Sequence, residues 1–286
     1  MFKATLINGK LLELISRTAE LIEEGTIQIK KDGISFVAPD TAMVCVVCWN
    51  LSSTAFESYE LSEETKMSIN LVNLLTVLKR TTGKSKVTLE LVGKIKKPQD
   101  YIQITILDDY KRFFTQPLIE LGEEEMPPIN ELEFKTTAEI KADVLRDGIE
   151  DSEAVGGDSI VFSSGGLKRF LMKTQTDVSS AELDTESRTT LAVANSRYPN
   201  EYLKKIAKTK LSETVLISYG DDYPAKFEYK NEKANIFYIL APRVSEDESV
   251  ERKDKEQKAT ELAEEVLEEK SETVEEEEEE VEENDE

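Results

Sequence analysis

The strongest constraint on the fold is an internal repeat that covers nearly all of the chain up to residue 244. Phe2 and Phe134 open two stretches that begin alike, at a spacing of 132 residues. Further along, Leu74–Leu91 aligns with Tyr202–Tyr219 at a spacing of 128, so small insertions or deletions separate the two alignments. Features kept in order over about 110 residues indicate a duplicated domain. The chain is therefore expected to fold as two similar halves.

Hydrophobic periodicity predicts the same order of elements in each half. In the first half, a strand over Phe2–Ile7 leads into an amphipathic helix over 9–23, whose apolar residues fall on one face. Alternating and fully apolar runs then predict strands, and a second helix over 70–82 follows. The second half repeats this pattern with helices at 139–152 and 197–209. In the first half, the strand that holds both cysteines is expected over Ala42–Trp49.

Charge separates the last residues from the rest. Residues 245–286 carry 22 acidic and 5 basic side chains, whereas residues 1–244 carry 37 acidic and 31 basic ones. Such a like-charged block repels itself and buries too little surface to fold. The organisation predicted from the sequence is a domain at 1–116, an extended connector at 117–133, a second domain at 134–244 and an acidic, disordered tail at 245–286.

Composition excludes several classes of function. The 286 residues contain no histidine, which rules out Ser-His-Asp triads and histidine metal sites. Cys45 and Cys48 lie on one apolar strand and point to opposite faces, so core packing is favoured over metal or redox chemistry. No enzyme, metal or cofactor is predicted. The chain has no apolar run of membrane-spanning length and begins without a signal sequence, which indicates a cytoplasmic protein.

Basic side chains on the helices are the informative signal. Each helix has one apolar face for a sheet, so its basic residues must point away from that sheet. If the four helices lie on one side, these charges form a positive surface suited to a phosphate backbone. The alternative is that exposed lysines only keep the protein soluble.

Several motifs in order make the sequence resemble the archaeal and eukaryotic sliding clamps of the proliferating cell nuclear antigen (PCNA) family. The resemblance runs over residues 1–244. The stretches that carry it are Met1–Ala4, Leu21–Glu24, Lys31–Ser35, Pro39–Asp40, Leu78–Arg80, Pro117–Ile119 and, most specifically, Tyr238–Val244.

The resemblance implies an α+β DNA-clamp fold, with two similar domains that each contain antiparallel sheets and two helices. Three such chains close head to tail into a ring with the helices lining the hole. The ring encircles double-stranded DNA without reading its sequence and acts in DNA replication and repair as a processivity factor, associated with the nucleoid at replication sites. The residues that the resemblance places on the DNA side are Arg17, Lys79, Arg80, Lys84, Arg146, Lys204, Lys205 and Lys208. Glu20 stands where the family often has lysine.

The resemblance also implies partners that bind beside the connector through short docking peptides, namely DNA polymerase, ligase and flap endonuclease. A clamp loader is a further implied partner. The residues implied for the docking pocket are Met43, Val44, Val46, Leu121, Met126, Ile129, Pro224, Ile239, Ala241 and Pro242. The residues implied for the subunit interface are Tyr110, Lys111, Phe113, Thr115, Thr176, Val178 and Ser180.

Two questions stay open at the level of sequence. The ring is compatible with one chain type or with several paralogues, and Val46 and Ile239 are equally compatible with an ordinary core. The competing function is that of an acidic-tailed assembly or chaperone-like protein without a DNA role. Convergence of the basic helix residues on one surface distinguishes the two functions.

Overall fold

The computed structural model describes residues 1–7, 9–92, 100–122, 127–165 and 167–243. The predicted tail and the pocket residue Met126 lie outside these ranges. Within the described residues there are four α-helices, none of them long and apolar enough to cross a membrane. The helices are α1 (Gly9–Thr18), α2 (Leu71–Leu78), α3 (Ala142–Ala154) and α4 (Asn200–Ala207).

The same ranges contain seventeen strands and two short 3-10 helices, at Ser53–Ala55 and Ile129–Glu131. The first half holds β1 (Phe2–Ile7), β2 (Glu24–Lys30), β3 (Gly33–Pro39), β4 (Cys45–Ser52), β5 (Ser58–Leu61), β6 (Thr65–Asn70), β7 (Lys86–Val92), β8 (Tyr101–Leu107) and β9 (Lys111–Pro117). The second half holds β10 (Thr136–Lys141), β11 (Ser159–Ser164), β12 (Arg169–Gln175), β13 (Ser180–Glu186), β14 (Ala194–Pro199), β15 (Thr214–Tyr219), β16 (Ala225–Lys230) and β17 (Ala234–Leu240).

Three antiparallel sheets join these strands, and one of them runs through both halves. Its order is β10-β15-β16-β17-β4-β3-β2-β6, and the halves meet where β17 pairs with β4. In that pairing Ile236 lies opposite Trp49, and both side chains are buried. The other two sheets belong to one half each, with the orders β5-β1-β7-β8-β9 and β13-β12-β11-β14. The joined sheet therefore makes residues 1–243 one compact unit.

The repeat is visible in the packing, at a slightly different spacing from the one expected. The buried residues of α1 are Leu11, Leu14, Ile15 and Thr18, and each has a buried counterpart 134 positions later in α3: Leu145, Gly148, Ile149 and Ser152. Phe2 therefore corresponds to Thr136, and the predicted match with Phe134 is wrong by two residues. Phe134 precedes β10 and packs instead against a small apolar cluster on the other face of the joined sheet.

Helix starts differ from the prediction where strand pairing or proline intervenes. Residues 139–141 form the end of β10, because Ile140 alternates with Ala138 into the core and pairs with Val215. Residues 197–199 belong to β14, since proline at 199 disfavours helical backbone at Tyr198. The helices α3 and α4 thus begin three residues later than predicted, at Ala142 and Asn200.

The first helix is shorter than predicted, and the cysteine strand starts and ends three residues later than predicted, at Cys45 and Ser52. α1 ends at Thr18, whose hydroxyl donates to the Leu14 carbonyl (2.7 Å) and accepts from the Trp49 indole (3.0 Å). β4 starts at Cys45 because Met43 has a positive φ of 58° and forms a turn. The prediction for the cysteines is confirmed in its packing: Cys45 lies in the main core, and Cys48 lies in the small cluster on the opposite face.

Candidate nucleic-acid interface and partner surface

Contacts between neighbouring helices place all four in one row. α1 packs on α2, and α3 packs on α4. The two pairs meet through two contacts: the Lys208 ammonium lies 3.0 Å from a carboxylate oxygen of Glu20, and the backbone N–H of Lys210 donates to Glu13 at 2.7 Å. These contacts give the order α2-α1-α4-α3, so the four helices are neighbours in one row.

Half of the cations predicted to face DNA are held by carboxylates of the same chain. Arg17 pairs with Glu13 (3.7 Å) and Glu20 (2.8 Å), and only 16% of its side chain is exposed. Arg146 pairs with Asp143 (2.8 Å), Lys204 with Glu153 (2.6 Å) and Lys208 with Glu20 (3.0 Å). Glu20, noted as a departure from the family, thus neutralises two of the predicted contacts.

The other four predicted cations carry no ion pair within the described ranges. Lys79 and Arg80 directly follow α2, and Lys84 lies in the turn before β7; all three are exposed. Lys205 is partly exposed on α4, with its ammonium 5.4 Å from the centre of the Tyr202 ring. These four residues are available to an external anion.

One helix of the row contradicts the expectation of a uniformly basic surface. α3 carries five acidic residues and one arginine, and its exposed side is formed by Asp143, Asp147, Glu150 and Asp151, called here the acidic face. The acidic character is readable in the segment ADVLRDGIEDSEA, in which only Arg146 was predicted as a site residue. Because phosphate is repelled by carboxylate, this helix does not extend the positive surface.

The residues predicted for the docking pocket fall into two groups. Val46 and Ile239 are 5% and 7% exposed, and together with Cys48 they form the small apolar cluster on the outer face of the joined sheet. Ile129, Leu132 and Phe134 from the connector side pack over this cluster. For Val46 and Ile239 the structure therefore shows the core alternative, beneath the chain's own connector.

The second group lies at the surface. Met43 is 55% exposed, and it lines a cleft of about 510 Å³ with Leu121, Ile22 and the acidic pair Glu23 and Glu24. Val44 is half-buried, and its carbonyl accepts from the Ala241 backbone N–H at 2.9 Å. Pro224, Ala241 and Pro242 are each partly exposed.

The residues predicted for the subunit interface lie along two unpaired sheet edges. Tyr110 precedes β9, and Lys111, Phe113 and Thr115 lie on it, at the edge of the five-stranded sheet. Thr176 and Val178 lie in the turn before β13, which begins at Ser180 and forms the edge of the four-stranded sheet. Tyr110, Phe113 and Val178 expose 65%, 64% and 91% of their surface.

A buried hydrogen bond that the sequence analysis missed fixes α4 to the first half. The Asp40 carboxylate accepts from the backbone N–H groups of Val44 (2.8 Å) and Cys45 (2.7 Å), and from the Tyr202 hydroxyl (2.7 Å). Asp40 and Tyr202 are 162 positions apart and both buried. This contact holds the turn that carries Met43 against the helix that carries Lys205.

Comparisons with known proteins agree with this architecture. Residues 1–116 match the family model for the N-terminal domain of proliferating cell nuclear antigen. The DNA polymerase sliding clamp of Pyrococcus furiosus is 32% identical over 243 residues, covering 82% of this chain and 94% of the relative. The clamp of Nanoarchaeum equitans is 27% identical over 252 residues, covering 84% and 99%.

Solved structures show the same fold. A PCNA2–PCNA3 complex from Sulfolobus tokodaii superposes with a TM-score of 0.74 at 28% identity, covering 84% of this chain and 99% of that one. The proliferating cellular nuclear antigen of Entamoeba histolytica has a TM-score of 0.76 at 18% identity, covering 85% and 99%. With one row of helices, a sheet running through both halves and relatives matched over almost their full length, the chain belongs to the proliferating cell nuclear antigen family of DNA polymerase sliding clamps.

Proposed function

We propose that this sliding clamp encircles duplex DNA with its helix row, and that Lys84 and Lys205 contact the phosphate backbone. The observation that supports the proposal is the row α2-α1-α4-α3, because the partly exposed Lys205 lies on α4 and the exposed Lys84 lies in the turn that follows α2. Contacts to phosphate are electrostatic and independent of sequence, which suits a ring that moves along DNA. The protein has no catalytic part in this role and acts at the DNA inside the cell.

The ring is proposed to be a trimer of two-domain subunits, with domains at 1–116 and 134–244 joined by the connector. The outer edges of β9 and β13 support this arrangement. Exposed edges with aromatic and aliphatic side chains promote aggregation unless another strand pairs with them. Edges that differ from each other give a head-to-tail contact, which closes into a ring.

Partner peptides are proposed to bind at the cleft beside Met43 and Leu121. An exposed apolar side chain at the mouth of a cleft suits a buried anchor residue. Glu23 and Glu24 at its rim favour a peptide that carries basic residues next to that anchor. DNA polymerase, ligase, flap endonuclease and a clamp loader are the proposed partners.

Topological retention on DNA tests the proposal. The full chain is loaded with a clamp loader and ATP onto a singly nicked circular plasmid, and the complex is washed in high salt. A sliding ring stays on the circle and is released when a restriction enzyme linearises the plasmid. Equal loss from circular and linear DNA would contradict encirclement and leave the acidic-tailed assembly protein as the better description.

A further inference from the structure

The two ends of the joined sheet differ in charge. One end holds the turn after β2, the turn after β16 and the segment between α4 and β15, and two clefts of about 370 and 570 Å³ open there. Three lysines and two carboxylates line the first cleft, and four cations and two carboxylates line the second. These clefts therefore have a surplus of positive charge. The cleft beside Met43, at the opposite end, carries Glu23 and Glu24 instead.

The lysines at the first end are not neutralised by the chain itself. They are called here the basic rim and are Lys10, Lys30, Lys31, Lys141, Lys210, Lys230 and Lys233. Lys10 is partly exposed and the other six are exposed. None of the seven forms an ion pair with a residue that the structure describes. Unpaired lysines around clefts concentrate a positive potential, which attracts an external anion.

Contacts between side chains connect this rim to the helix row. Asn231 lines the first cleft, where its side-chain oxygen lies 3.5 Å from the Lys10 ammonium and its amide donates to the Leu211 carbonyl at 3.1 Å. Leu211 lines the second cleft, and the neighbouring Lys210 N–H donates to Glu13 of α1. The helices α1 and α3 begin at this end, and α4 ends there. The positive surface thus continues from the helix row onto the turns of the sheet.

We infer that the basic rim is a second nucleic-acid surface, which contacts the phosphate backbone of the duplex where it leaves the ring. The inference rests on the proposed encirclement and extends it beyond the hole. Continuity with the helix row favours DNA over an acidic protein, because a duplex that the row encircles passes this end. Since the rim attracts phosphate and Glu23 and Glu24 repel it, the duplex is expected to lean on the basic rim and not on the opposite end.

The lining of the two clefts favours double-stranded over single-stranded nucleic acid. Proteins hold single strands with aromatic side chains on which successive bases stack. No aromatic residue is among the described residues that line either cleft. Lysine contacts by themselves bind phosphates without reading the bases, which suits a duplex that slides past the rim.

Photo-crosslinking of the full chain to DNA tests the assignment. The variants K30C, K141C and K233C each place one reactive thiol on the rim, K205C marks the helix row, and K135C marks the opposite end. Each thiol receives a short aryl azide, and the wild type reports any labelling of the buried native cysteines. The labelled clamp is loaded with a clamp loader and ATP onto a nicked circular plasmid and washed in high salt. It is then returned to about 50 mM salt and irradiated.

The three rim variants are expected to crosslink to the plasmid with yields within about threefold of K205C, and K135C with a yield at least about tenfold lower, because only the rim and the row contact phosphate. The rim yields should fall as the salt concentration is raised, since salt screens these contacts.

Charge reversal provides a second measurement that does not depend on the crosslinker. K30E/K233E should reduce the slope of log affinity for a linear duplex against log salt concentration by roughly 2 for each subunit that contacts DNA. The control K135E/K168E changes the charge of two exposed lysines outside the rim by the same amount and should leave the slope unchanged. Circular dichroism confirms that both variants are folded.

The outcomes separate this inference from the encirclement itself. Crosslinks from K205C alone, or equal slopes for K30E/K233E and its control, refute the rim contact, leave the ring standing and favour an acidic protein as the partner of the rim. Rim crosslinks that form only on a plasmid with a single-stranded gap refute the duplex as occupant. A clamp that is not retained on circular DNA refutes encirclement, and the rim contact with it.

Discussion

Replacing Tyr202 by phenylalanine removes one hydrogen bond and keeps the packing of the aromatic side chain. The hydroxyl donates to Asp40 at 2.7 Å, and both residues are more than nine-tenths buried, so water does not substitute freely for the lost donor. A hydrogen bond to a charged group contributes about 1.5–3 kcal/mol. We expect Tyr202→Phe to lower the free energy of unfolding by about 2 kcal/mol, and the Tm by about 4–8 °C for a folded unit of this size.

The matched control is Tyr229→Phe. The Tyr229 side chain is fully buried, and its hydroxyl has no hydrogen-bond partner among the residues that the structure describes. Removing a buried donor that has no partner relieves a desolvation cost, so this variant should be neutral or slightly more stable. Urea titration followed by circular dichroism measures both variants at one protein concentration. Equal destabilisation by the two changes would show that loss of the hydroxyl at Asp40 is not the cause.

Three further predictions concern DNA, partners and the thiols. Replacing Lys84 and Lys205 by glutamate should weaken retention on DNA, most of all at low salt. It should also reduce the slope of log affinity against log salt concentration by roughly 2 for each subunit that contacts DNA. An unchanged slope would show that these lysines do not contact the DNA. Met43→Ala should lower the affinity for a docking peptide about tenfold or more in calorimetric titration, whereas Val72→Ala, at an exposed position on α2, should leave that affinity unchanged. Equal affinities of the two variants would show that Met43 is not part of the pocket. Burial raises the pKa of the Cys48 thiol to about 12, above its ordinary value of 9.0, so the native thiol should resist a thiol reagent at pH 8 and react after unfolding. Since the folded-state pKa is the higher one, the stability that this burial contributes is present below pH 9 and is lost as the pH rises toward 12, which pH-dependent unfolding measures.

Local patterns were sufficient for the elements that depend on near neighbours. The apolar stripe Leu11, Leu12, Ile15, Ala19 and Ile22 predicts a helix where α1 lies, and the alternation in β7 and β15 predicts strands. Each of these signals is contained in a short segment of neighbouring residues. Element ends were less accurate. The hydroxyl of Thr18 meets Trp49, which lies 31 positions away, and such a contact has no local signature.

In the candidate site, too, the sequence predicted some features and the tertiary structure decided others. The sequence by itself determined the duplication, the acidic tail, the absence of histidine chemistry and the identity of the basic residues near the helix ends. Only the tertiary structure decided which of those cations are free, because Glu20 lies 188 positions from the lysine that it pairs with. It also decided that β4 and β17 join the halves, while the outer edges of β9 and β13 have no partner strand among the described residues. Strand pairing and ion pairing depend on distances across the fold, which a pattern of neighbouring residues does not contain.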